Sequence, residues 1–141
     1  MTTVAGLAVA RLLRRTLPAG VDVLEREGEP TALIDSLEAA EAVWLVDAVS
    51  SGATPGTLHR LDASERELPA ALFQASTHHF GLAEAVELAR TLRGLPPRTI
   101  VYGIEGESFD TGETLTPEVE AAVERVAEAV REEVAECTRR P

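Results

Sequence analysis

Apolar residues recur along this chain with two different periods, and the switches between them mark out its elements. Over residues 5–17, Leu7, Val9, Ala10, Leu12, Leu13 and Leu17 fall at helical spacing. Arg11, Arg14 and Arg15 gather in the later part of that stretch, where positive charge suits the helix dipole. Pro18 and Gly20 end the helix. Residues 21–25, Val-Asp-Val-Leu-Glu, alternate with period two and predict a strand. A turn around Gly28 and Pro30 leads to a second helix over residues 31–40. Residues 42–47, Ala-Val-Trp-Leu-Val-Asp, form an unbroken apolar run closed by a carboxylate. Runs of this kind suit parallel strands covered on both faces.

After a Ser-, Gly- and Pro-rich loop at residues 50–56, a short alternating strand is predicted over 57–61. A polar connection then reaches Ser76-Thr77-His78-His79-Phe80-Gly81. Leu82, Ala85, Val86, Ala89 and Leu92 place one apolar face on a helix over 82–92, which Pro96-Pro97 follows. Residues 99–104 are β-branched enough for a strand, and 105–114 read as loop. Thr116 as N-cap, Pro117 in the first helical position and Glu118 in the first turn open the last helix. It should run to residue 136, with Val119, Val123, Val126, Val130 and Val134 facing a sheet. Strands alternating with helices predict a three-layer α/β/α domain with a mostly parallel sheet. No repeat or linker divides residues 1–141, so one domain is expected. The opening is unusual for such a domain, because a helix comes first.

Composition narrows the function. At 141 residues and 45% apolar, the chain can bury a core, made mainly of Ala, Val and Leu. A net charge of −11 at pH 7 removes the basic face that nucleic-acid binding requires. All 13 basic residues are arginines. Cys137 is the single cysteine, so no intramolecular disulfide can form and a cytoplasmic location is expected. No apolar run approaches the roughly 18–20 residues of a membrane span. The N-terminus also lacks the order of a signal peptide, because its apolar stretch precedes its arginines.

Candidate chemistry gathers where α/β sheets bind ligands, beyond the carboxyl ends of the strands. Asp47 closes the most apolar strand, where a charge must be solvated, paired, metal-bound or engaged in capping the next loop. His78 and His79 sit in a loop before a helix, and one imidazole of such a pair can hold a transition metal. His59, on the short strand, reads as a surface or packing residue. Glu105 and Glu107 follow a strand and could supply a third ligand, although a solvated acidic loop is the simpler reading. Cys137 makes a poor nucleophile, far in sequence from both histidines. Walker, G-x-G-x-x-G, G-x-S-x-G and helical H-E-x-x-H motifs are all absent.

Taken in order, several pieces resemble the nickel–iron hydrogenase maturation endopeptidases. They are residues 6–11 (Gly-Leu-Ala-Val-Ala-Arg), the strand 43–47 with Ala48-Val49, and Pro55-Gly56-Thr57. Ser76-Thr77-His78 with Gly81-Leu82-Ala83-Glu84, and Tyr102-Gly103-Ile104-Glu105-Gly106, complete the set. The resemblance implies a phosphorylase/hydrolase-like α/β/α fold. It also implies an aspartic-type endopeptidase, an activator of another enzyme, that trims the C-terminal extension of a nickel–iron hydrogenase large-subunit precursor after nickel insertion. Nickel in the substrate, or another divalent metal, would then meet Asp47 and His78, while His79 falls on a variable position. The resemblance also marks a departure. The first strand and its acidic pair are missing, with Thr2 and Thr3 standing where the acids would be. A member truncated at its N-terminus is therefore expected, and the alternative to an active endopeptidase is a catalytically inactive homologue that binds the precursor or a maturation factor. The unpaired strand edge left behind would favour a homodimer.

Overall fold

The computed structural model describes residues 4–18, 20–24, 30–38, 40–69, 82–106 and 115–139. Its elements run α1 (Val4–Thr16), α2 (Pro30–Glu38), β1 (Ala42–Val49), β2 (Leu58–Asp62), α3 (Leu82–Leu92), β3 (Arg98–Glu105) and α4 (Pro117–Arg139). The sheet has the order β1-β3-β2, with β1 parallel to β3 and the short β2 antiparallel to it. Helices cover both faces, as the three-layer expectation requires.

Alternation along the strands assigns each face. Trp44 and Val46 of β1, Ile100, Tyr102 and Ile104 of β3, and Leu58 of β2 join one core with Val9 and Leu13 of α1 and the valines of α4. Leu45, Val49, Val101 and Leu61 face the other way, onto Ala83 and Val86 of α3. Beside α3, Ile34 and Leu37 of α2 pack with Ala89 over Val43. One face therefore carries α1 and α4, and the opposite face carries α2 and α3.

All five valines expected to face the sheet from α4 are buried. Thr116 caps that helix as its sequence predicts, its Oγ1 accepting from Val119 N–H at 3.3 Å. Glu133 of α4 ties the helix to the sheet, accepting hydrogen bonds from Arg60 and Tyr102. Burial alone would raise the Glu133 carboxyl, but those two donors hold it below the usual carboxylate range. Burial and the same glutamate push the Tyr102 hydroxyl up to about 12.

Two expectations are corrected. Leu92 is 62% exposed, and Ala83 takes its place in the α3 core. Among the described residues of the stretch predicted as a strand, 21–24 pair with no sheet partner. Val21 and Val23 do pack on the α1–α4 core, while Leu24 is 55% exposed. Alternation is satisfied by burying one side of an extended segment, but a strand also needs a neighbour's backbone. Residue 25 lies outside the described residues.

Candidate functional site

Asp47 is the sixth residue of β1, near its carboxyl end. Its side chain shares a face with Leu45 and Val49 and is only 6% exposed. Its Oδ1 accepts a hydrogen bond from the Ala48 N–H at 2.9 Å. Burial pushes the carboxyl up from 3.8 to about 6, against the lowering effect of that hydrogen bond. A carboxyl poised there can exchange a proton near neutral pH, and in its ionised form it attracts a cation.

A second acid, Glu105, is buried rather than part of a solvated loop, and this corrects the simpler reading of its sequence. It is the last residue of β3 and is 1% exposed. β3 continues one residue past its expected end, and the loop after β1 folds over the added position. The Glu105 Oε1 accepts from the Ser51 N–H at 2.9 Å and from the Ser51 hydroxyl, and lies 3.2 Å from His59 Nε2. Its backbone closes the same loop, with Gly56 N–H donating to the Glu105 carbonyl at 2.8 Å and Glu105 N–H to the Thr57 carbonyl at 2.9 Å. His59 is therefore a member of a polar cluster rather than a surface or packing residue. Only strand register could reveal this, because the two residues are 46 positions apart.

That register also relates the cluster to Asp47. Asp47 and His59 both pair with Gly103, one from each side of β3. They flank a position with no side chain, and Glu105 lies one pleat further along the same face. Among the described residues, no three carboxylate, imidazole or thiol groups converge closely enough to hold a metal ion. His78, His79, Thr2, Thr3 and Glu107 lie outside the described residues. Cys137 is a free, half-buried thiol on α4.

Comparison with known proteins settles the family. The family model described as hydrogenase maturation protease matches residues 7–133. The chain belongs to the hydrogenase maturation protease family. It is 34% identical over 120 residues to the hydrogenase expression/formation protein HupD of Rhodobacter capsulatus, a match covering 82% of this chain and 56% of that protein. To the hydrogenase 2 maturation protease of Escherichia coli it is 32% identical over 120 residues, covering 83% of this chain and 71% of the relative. The chain thus spans little more than half the length of the Rhodobacter relative. Among solved structures it resembles the hydrogenase maturating endopeptidase HybD from E. coli, with a TM-score of 0.77 and 28% identity. That match covers 94% of this chain and 83% of the other. The α/β fold of these maturation proteases is the architecture described above. Asp47, near the carboxyl end of β1, falls within the span that the family model matches.

Proposed function

We propose that this chain is an endopeptidase that removes the C-terminal extension of a nickel–iron hydrogenase large-subunit precursor once nickel is in place. It acts in the cytoplasm as an activator of the enzyme it trims. The observation that carries this reading is a desolvated carboxylate, Asp47, at the ligand-binding end of β1 in a chain that matches the maturation-protease family over residues 7–133. In this reading Asp47 and His78 contact the nickel of the substrate, so the metal is part of what is recognised. A carboxylate whose solvation has been stripped away binds such a cation more readily than one in water, because less hydration is lost on binding. Hydrolysis adds water across the peptide bond and leaves a new C-terminal carboxylate and a free amine.

Mass spectrometry of the precursor tests the reading. A nickel-loaded precursor should lose its extension with this chain, and the Asp47→Ala variant should leave it intact. No mass loss from a precursor that a known maturation protease does process would overturn the peptidase reading. Equal cleavage of nickel-free precursor would overturn the role given to nickel.

A further inference from the structure

The polar cluster at Glu105 contains more than the loop after β1 requires. Ser51 alone gives the Glu105 Oε1 two donors, its N–H at 2.9 Å and its hydroxyl. Backbone bonds between Glu105 and both Gly56 and Thr57 close the same loop without any side chain. His59 is a third donor to an oxygen that already accepts two hydrogen bonds. It also differs from its partner in access, since the His59 side chain is 24% exposed while that of Glu105 is buried. The buried acid thus holds an imidazole that water or a bound chain can still reach.

That contact decides the chemistry of the ring. An oxygen that accepts from Ser51 also accepts from His59, so Nε2 carries the hydrogen. In the neutral ring Nδ1 then keeps its lone pair, and among the described residues no hydrogen bond ends on it. A carboxylate that holds an imidazole by one nitrogen fixes its tautomer and orientation and makes the other nitrogen more basic. Strand register sets this ring beside the candidate site. His59 and Asp47 pair with Gly103 from opposite sides, on one face of the sheet. Gly103 has no side chain, so nothing on β3 stands between them. One row back on that face, Leu45, Val101 and Leu61 pack with α3. Asp47, His59 and Glu105 are thereby gathered at the carboxyl ends of β1 and β3.

We propose that His59 is a catalytic residue of the peptidase, the base that takes a proton from the attacking water, and that Glu105, backed by Ser51, is its positioning residue. This role rests on the peptidase reading given above. Nδ1 takes the proton as the water oxygen bonds to the carbonyl carbon of the scissile peptide. The same nitrogen then gives that proton to the amide nitrogen as the C–N bond breaks, leaving a carboxylic acid end and a free amine. Asp47 keeps the separate task of meeting the nickel. Its strand and that of His59 lie two spacings apart, about 10 Å. The ring is also turned along β3 to Glu105 rather than across Gly103 to Asp47. His59 thus acts on the peptide, and Asp47 on the metal.

Two measurements on the full chain test this. The first needs no substrate: NMR of the protein labelled with nitrogen-15 in its histidines, with the rings neutral, reports which nitrogen carries the hydrogen. Among three histidines, the signals of His59 are those that His59→Ala removes. They should show one tautomer, with hydrogen on Nε2, and Glu105→Gln should release a mixture of both. The second follows cleavage of a nickel-loaded precursor by mass spectrometry. His59→Ala should lower kcat by at least about 100-fold and leave KM within about twofold, as loss of a positioned base does. Free imidazole should restore part of that rate, and none in Asp47→Ala. His59→Gln retains a donor for Glu105, which guards the fold, and should be as slow as His59→Ala. The proposal is overturned by a His59 ring with its hydrogen on Nδ1, by full kcat in His59→Gln, or by a loss confined to KM. A parent chain that cleaves nothing sinks the peptidase reading and this role with it, whereas a cleaving parent with fully active His59 variants sinks this role alone.

Discussion

Replacing Asp47 by asparagine should make the protein more stable as pH rises, because its buried carboxylate weakens the fold whenever it is ionised. The fold raises this carboxyl from 3.8 to about 6. A raised acid favours the folded state only in its protonated form. Its contribution is therefore intact below the unfolded value and is lost as pH rises through the folded one. At about 1.4 kcal/mol per tenfold change in ionisation constant, the loss amounts to about 3 kcal/mol once the group is fully ionised. About 1 kcal/mol of it has gone by pH 4.5 and nearly all by pH 7.5, which leaves about 2 kcal/mol between those two conditions. Asp47→Asn cannot ionise, and its carbonyl can still accept the Ala48 N–H. Whatever constant offset the buried amide adds, the stability difference between variant and parent should move by about 2 kcal/mol in the variant's favour from pH 4.5 to pH 7.5. Urea denaturation of both proteins at the two pH values measures this, and the paired difference cancels the titration of every other group. A difference that stays flat with pH would refute the reasoning, since it would mean that Asp47 is as well solvated folded as unfolded.

Other variants probe the groups around that carboxylate. Glu105→Gln weakens the acceptor of Ser51 and His59 and should lower stability by about 1–3 kcal/mol in chemical denaturation; no loss would show that the loop after β1 is held by its backbone bonds alone. Gly56 has φ of +90°, and a Cβ there would stand 2.7 Å from the Glu118 carbonyl oxygen. Gly56→Ala should thus cost at least about 1–3 kcal/mol, read as a fall in thermal midpoint, and an unchanged midpoint would contradict that close approach. Glu133→Ala removes the shared partner of Arg60 and Tyr102 and should lower the hydroxyl titration of Tyr102 from about 12 towards its ordinary value in an ultraviolet pH titration, as far as burial allows.

Much of this protein is legible in its sequence, and the legible parts are local. The valines of α4, the Thr116 cap and the apolar run of β1 each need only neighbouring residues to be recognised. A 3.6-residue stripe, a capping hydroxyl and a continuous apolar run report their own geometry. Asp47 is legible for the same reason, as a carboxylate that closes such a run. Its rise to about 6 is not, because desolvation depends on what the other elements stack above it.

The parts that sequence misjudges depend on distant partners. Residues 21–24 alternate like a strand, but strand identity rests on another segment's backbone groups, and none of the described residues offers them. Glu105 reads as the start of an acidic loop until strand register sets it beside His59 and beneath Ser51. Local periodicity thus marked the helices and the buried apolar runs, while pairing decided which extended segments are strands and burial decided which acids are dry. The physical reason is range: helix hydrogen bonds and caps close within about four residues, whereas sheet register and desolvation are set only when remote segments meet.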